Sequence, residues 1–162
     1  MKNIDSDSSL SFDSPVGRVS LYARANKVVF IEMTTKSKGA PTVGKSAVLQ
    51  TAKRQLLDYF AGKSKVLTFP VEFHGTDFQE AVWKQIDKIK FGKTLSYGQI
   101  AERIGTPRAV RAVGGAVGAN PLPLRIACHR VLGNSGTITG YSGGNGIPTK
   151  QKLLALENIE YK

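Results

Sequence analysis

The apolar residues of this chain change period partway along it, and that change limits the fold more than any single motif does. Between residues 9 and 22 they alternate, in Ser9-Leu10-Ser11-Phe12 and again in Val19-Ser20-Leu21-Tyr22, and a β-rich run, Val28-Val29-Phe30-Ile31, follows. Alternation puts every second side chain on one face of a sheet. Asp13-Ser14-Pro15-Val16-Gly17 and Ala25-Asn26-Lys27 separate these runs as turns, so two or three antiparallel strands are expected. Lys36 to Ser46 carries Lys, Gly, Pro and Ser and reads as a loop. From Ala47 the spacing becomes helical, with Val48, Ala52, Leu56, Tyr59 and Phe60 on one side and Gly62 as the stop. Lys65 to Phe73 reads as a further extended segment containing Pro70. Residues 1–7 are polar and read as a frayed end.

Beyond His74-Gly75 helical spacing prevails, which sets expected domains at 1–73 and 74–162. Asp77 can cap a helix through Lys88 that turns Phe78, Val82, Trp83 and Ile86 to a core. Ser96 and Gln99 fit a capping box for a short helix carrying Ile100, Ala101 and Ile104, which ends at Gly105 before Pro107. A second helix opens near Arg108 and runs through Val110, Val113 and Val117 towards Asn120-Pro121. Helix, tight turn, helix is the pattern of a helix-turn-helix unit, and equally of two plainly packed helices. Gly114, Gly115, Ala116, Gly118 and Ala119 leave this second helix nearly bare. Interior helical glycine costs roughly 0.5–1 kcal/mol against alanine. Either close packing or approach to a phosphate backbone beside Arg108 and Arg111 would offset that. The chain then returns through Leu122-Pro123-Leu124 and an extended stretch ending at Cys128.

Cys128 is the only cysteine in 162 residues. It excludes an internal disulfide and any zinc site built from several cysteines, and with only His74 and His129 besides, no metal is expected. A chain this long can bury a core without such staples. A lone thiol beside an imidazole, in Ile126-Ala127-Cys128-His129-Arg130-Val131, is either a buried inert cysteine or a nucleophile whose proton has somewhere to go. The N-terminus has no apolar signal core, and no apolar stretch is long enough to span a bilayer. A reducing cytoplasm is the expected compartment. The formal net charge of +11 favours a polyanionic partner.

Taken together, Phe69-Pro70, Gly75-Thr76-Asp77-Phe78-Gln79, Val82-Trp83, Gly92-Lys93-Thr94, Ser96-Tyr97 and Arg111-Ala112-Val113-Gly114-Gly115-Ala116 form a pattern that continues to the C-terminus. It includes Asn120-Pro121, Cys128-His129-Arg130-Val131, Thr139-Gly140-Tyr141-Ser142-Gly143-Gly144, and Leu153-Leu154 to Glu157. In order and spacing it resembles the O6-alkylguanine-DNA alkyltransferases, the methylated-DNA–protein-cysteine methyltransferases. Ser14-Pro15-Val16-Gly17 and Leu57-Asp58-Tyr59-Phe60 extend the likeness loosely into the first half.

The resemblance implies an α/β protein: a small N-terminal domain with an RNase-H-like sheet, and a mainly helical C-terminal domain whose helix-turn-helix enters the minor groove. It implies irreversible transfer of an alkyl group from O6 of guanine to Cys128, once per molecule, without cofactor or metal. His129 would be the base, Glu157 would orient it, Tyr97 would supply a proton to the departing guanine, and Asn120 would tie the recognition helix to the active-site segment. Arg111 would fill the gap left by an extruded nucleotide. Arg108, Ala112, Gly114, Gly115, Ala116, Thr94 and Ser96 would meet DNA. Tyr97, Pro123, Val131, Tyr141, Ser142 and Gly143 would line the base pocket. The implied partner is double-stranded DNA containing alkylated guanine, with no membrane involved. The protein would be monomeric alone, with cooperative loading on DNA left open.

Most relatives carry proline at the position of Ala127, and Arg125 stands in a segment that is usually apolar. In an extended chain Arg125 and Ala127 would share one face, and the Arg125 stem would cover the space a proline ring leaves. Asn145 to Lys152 makes the stretch before Leu153 slightly longer than in many relatives. Gly143 has no side chain to limit the adduct, so groups larger than methyl are expected to fit. The competing readings are a recognition module that binds damage without transfer, a cysteine hydrolase, and a DNA-binding regulator.

Overall fold

A computed structural model describes residues 4–162. Three strands, β1 (Ser8–Ser14), β2 (Gly17–Arg24) and β3 (Lys27–Thr34), form an antiparallel sheet in chain order. The first connection is closed by Ser14, whose hydroxyl donates to the Gly17 carbonyl at 2.8 Å and accepts from the Val16 amide at 3.1 Å. Gly17 has φ +102, and a Cβ there would sit 2.8 Å from the Thr34 carbonyl oxygen, so only glycine fits. The second connection places Ala25 and Asn26 at φ +49 and +65 between the paired residues Arg24 and Lys27. Two consecutive left-handed residues match the right-handed twist of the strands they join. Helix α1 (Ala47–Phe60) packs on this sheet through Val48, Leu49, Ala52, Leu56 and Tyr59, closing a core over Leu10, Phe12, Val19, Leu21, Ile31 and Met33.

Two details sharpen the expectations for this part. The segment Lys65 to Phe73, expected to be extended, does not add a strand to the sheet. Only Val71 bridges Val28, through Val28 N–H to the Pro70 carbonyl and Glu72 N–H to the Val28 carbonyl, both 3.0 Å, because Pro70 has no N–H to continue a ladder. The frayed end expected for residues 1–7 falls partly outside the described residues. Within them, the Asp7 amide donates to the Ala23 carbonyl and Asp5 pairs with Arg24, so the polarity serves contacts.

The chain divides into two compact units, Met1–Phe73 and His74–Lys162. The second opens with α2 (Asp77–Asp87), capped by Thr76 rather than Asp77: the Thr76 hydroxyl accepts from the Gln79 amide while Gln79 reaches back to the Thr76 N–H. Asp77 is the first helical residue, where its charge faces the positive end of the helix dipole. Val82, Trp83 and Ile86 are buried as expected, and Phe78 only partly. Strand β4 (Leu95–Ser96) leads into α3 (Tyr97–Arg103), and the Ser96–Gln99 capping box is present. Helix α4 (Val110–Gly118) starts two residues later than Arg108, because Thr106 to Ala109 forms a turn closed by Ala109 N–H to the Thr106 carbonyl. Strand β5 (Val131–Leu132) pairs in parallel with β4, and α5 (Ile147–Leu156) closes the unit, its first turns built from most of the long stretch before Leu153.

The largest departure lies at residues 122–128, which are not extended. Leu124 has φ +76, the Ile126 amide donates to the Leu122 carbonyl at 2.8 Å, and Cys128–Arg130 is a 3-10 turn. Asn120 explains the fold-back: its side-chain amide donates to the Ile126 carbonyl at 2.7 Å, and its carbonyl oxygen accepts from the Leu122 amide at 2.9 Å. Ile126 and Ala127 are both buried, so the single face expected to be shared by Arg125 and Ala127, opposite Ile126, does not exist. Arg125 instead bonds Asp87 at the end of α2, at 2.9 Å. No described helix is long and apolar enough to cross a membrane.

Candidate active site

Pairing between β4 and β5 organises the second unit's functional residues. Leu95 opposes Val131 and Ser96 opposes Leu132, so the start of α3 lies beside the chain that has just left Cys128-His129-Arg130. Tyr97, the first residue of α3, thereby reaches the same cavity as Cys128. That cavity has a volume of about 570 Å3, and Arg111, Gly114, Gly118, Thr139 and Tyr141 also line it. Gly114 faces the Tyr97 ring, which lies 4.0 Å from where a Cβ would stand, at ordinary contact distance.

Cys128 is 4 % exposed and lines the cavity. Burial pushes its thiol above the ordinary range, because an anion there would lose its water; Asn120, the Lys150 charge and Tyr141 pull the other way. His129 is fully buried, with Nε2 2.5 Å from Glu157 Oε2. The other Glu157 oxygen accepts from Arg130 Nε at 2.8 Å and from the Gly92 amide at 2.9 Å. Arg130 Nη1 donates to the Ile89 carbonyl at 2.6 Å, and its guanidinium stands 5.9 Å from the Phe91 ring centre. Glu157, the C-cap of α5, is therefore held on both oxygens. Burial depresses the His129 pKa, Glu157 raises it, and Arg130 and Lys150 lower it. A carboxylate only accepts, so a neutral ring bonded to it carries its hydrogen on Nε2 and its lone pair on Nδ1. Nucleophile, base and orienting group are the arrangement that activates a weak nucleophile.

Two residues that sequence reasoning missed complete the site. Lys150 is 1 % exposed, donates to the Val131 carbonyl at 2.7 Å, and has a pKa lowered by burial to about 8, with the charge of Cys128 opposing. Its signal was periodic: positions 150, 153, 154 and 157 share one face of α5, and that face is buried. Thr139 places its hydroxyl 2.8 Å from the Tyr97 hydroxyl; the sequence pattern included it but gave it no role.

Other expected residues fall elsewhere. Ala116 is 3 % exposed and its carbonyl accepts from the Trp83 indole at 2.8 Å, so it faces α2 and not a ligand. Arg108, Arg111, Ala112, Gly115 and Gly118 are exposed, and Gly114 is half-buried. Ser142 lines the cavity and donates to the Gly118 carbonyl at 3.3 Å, while Val131 is wholly buried and Pro123 and Gly143 are not part of the lining. The fit of large adducts therefore cannot rest on Gly143. Thr94 and Ser96 border a separate polar concavity with Asn134 and Ser135. No group of three metal-ligating side chains occurs among the described residues.

Residues 77–159 match the family model of the 6-O-methylguanine DNA methyltransferase DNA-binding domain. The methylated-DNA–protein-cysteine methyltransferase of Mycolicibacterium paratuberculosis is 40% identical over 148 residues, covering 90% of this chain and 88% of that protein. The constitutive enzyme of the same name from Bacillus subtilis is 45% identical over 114 residues, covering 70% and 68%. Among solved structures, Mycobacterium tuberculosis OGT in complex with DNA superposes with a TM-score of 0.81 at 39% identity, covering 93% of this chain and 92% of that one. Sequence pattern, mixed α/β fold and length thus agree, and the chain belongs to the 6-O-methylguanine-DNA methyltransferase family, the methylated-DNA–protein-cysteine methyltransferases.

Proposed function

We propose that the protein repairs DNA by moving the alkyl group of O6-alkylguanine to Sγ of Cys128, each molecule acting once. The observation that carries this is a buried thiol lining a cavity, followed in the chain by an imidazole whose Nε2 is held by Glu157. The thiol proton passes to His129, the sulfur anion attacks the alkyl carbon, and the bond from that carbon to O6 breaks. Tyr97 donates a proton to the departing guanine. The products are a thioether on Cys128 and an unmodified base. Lys150 favours the sulfur anion: its charge, like the Asn120 side chain, lowers the Cys128 pKa against the larger effect of burial.

The target atom is out of reach inside a duplex, so the nucleotide must turn out of the stack at a cost of a few kcal/mol. On this reading α3 and α4 act as a helix-turn-helix, α4 enters the minor groove, and the exposed Arg111, which lines the cavity, takes the vacated place. The sheet and α1 of the first unit are the RNase-H-like domain, and the second unit binds DNA and carries the transfer. The protein works as a monomer in the cytoplasm, where the thiol stays reduced. The relative solved with DNA supports DNA as the partner.

The test is intact mass after incubation with duplex DNA carrying O6-methylguanine, followed by peptide mapping. One methyl group on Cys128, saturating at one per molecule, is the expected result, and Cys128→Ser binds the same DNA without gaining mass. Tight binding with no mass gain by the wild type would make the protein a recognition module.

A further inference from the structure

From the contact between Tyr97 and Thr139 we infer that Thr139 is a positioning residue for alkyl transfer: its hydroxyl donates to the Tyr97 oxygen and frees the Tyr97 proton for the departing guanine. This rests on the transfer reading above and adds to it a residue with no role so far. The two hydroxyl oxygens are 2.8 Å apart, and both side chains line the cavity that contains Cys128. Either oxygen can be the donor, and a hydroxyl has one hydrogen to give. If Tyr97 donates to Thr139, its proton is committed and a base in the cavity finds only lone pairs. If Thr139 donates, the Tyr97 hydrogen is free to face the base.

The second arrangement is also the one that gains during reaction. As the sulfur–carbon bond forms and the carbon–O6 bond breaks, the Tyr97 proton moves to the guanine and its oxygen becomes an anion. A hydrogen bond to an anion is roughly twice as strong as one between neutral groups, so the Thr139 contact strengthens as the transition state is approached. Thr139 is held for this task. Its side chain is β-branched and stiff at χ1. Its methyl group lies 3.3 Å from where a Cβ on Gly133 would stand, so the glycine spares Thr139 a tight contact.

The test is a single-turnover cycle on duplex DNA containing O6-methylguanine, at saturating DNA, with wild type, Thr139→Val, Tyr97→Phe and the double variant. Thr139→Val keeps the shape and removes the hydroxyl. It is expected to slow transfer by about tenfold in the wild-type background and by less than about twofold in Tyr97→Phe, where no proton is donated. Thr139→Ser, which keeps the hydroxyl, is expected to recover most of the rate. Equal slowing by Thr139→Val in both backgrounds, or no slowing in either, would overturn the inference while leaving the transfer reading intact. Absence of methyl transfer by the wild type would overturn both.

Discussion

At the residue scale, the site is governed by charges kept out of water. His129 and Glu157 are fully buried, and Lys150 almost so. Burial depresses the His129 pKa from its ordinary value near 6.5, so the folded protein holds the ring neutral. The unfolded chain takes up a proton as the pH falls through that value, and the fold refuses it until a lower pH. The stability this ring permits is therefore complete above about pH 6.5 and is lost below it, by at most about 1.4 kcal/mol per pH unit. Urea unfolding should give a lower free energy at pH 5.5 than at pH 7.5, and His129→Asn should narrow the gap. An unchanged gap would mean that His129 is not the group refusing the proton. Cys128 and His129 were legible as a thiol beside an imidazole, and Glu157 only through the family resemblance. Lys150 and Thr139 were not: a lysine on a helix normally reads as a solvated face, and a contact between positions 97 and 139 exists only once β4 pairs with β5.

At the scale of elements, periodicity and capping were the legible signals. The three strands, α1 and the Ser96–Gln99 box follow from alternation, helical spacing and side-chain hydrogen bonds that act within a few residues. What was misread depends on partners far away or on competition between neighbours. Thr76 outcompetes Asp77 as a cap because Gln79, three residues after Thr76, completes a reciprocal pair. The 122–128 segment folds back because Asn120 bonds its backbone, which no local pattern announces. The bare face of α4 left two explanations open, and the structure separates them. A Cβ on Gly115 would meet nothing within 4 Å, so packing does not require glycine there. Gly115→Ala should then stabilise the protein alone by about 0.5–1 kcal/mol. If α4 presses on the DNA backbone, the same change weakens duplex binding. Denaturant unfolding and a binding titration on one variant decide it: a gain in stability with no loss of affinity would remove α4 from the DNA interface.

At the scale of the molecule, a net charge of +11 and a buried reaction centre respond to salt in opposite ways. Exposed arginines such as Arg108 are screened over about 10 Å at 0.1 M salt, whereas charges inside the cluster of His129, Glu157 and Arg130 are screened far less. Affinity for duplex DNA should therefore fall steeply with salt, its logarithm dropping by about 0.9 per phosphate neutralised for each decade of salt. The single-turnover rate at saturating DNA should stay nearly constant. That separation tells a phosphate contact from a side chain that replaces an extruded base. Arg108, exposed in the turn before α4, should behave as the former: Arg108→Ala lowers the salt slope by about one and leaves the saturated rate unchanged. Arg111 lines the cavity that holds Cys128, and Arg111→Ala should slow transfer at saturating DNA with a smaller change in slope. The reverse result for Arg111, a reduced slope with a wild-type rate, would make it a phosphate contact. The energy that holds the nucleotide outside the stack would then have to come from the cavity itself, through Tyr141 and the chain around it.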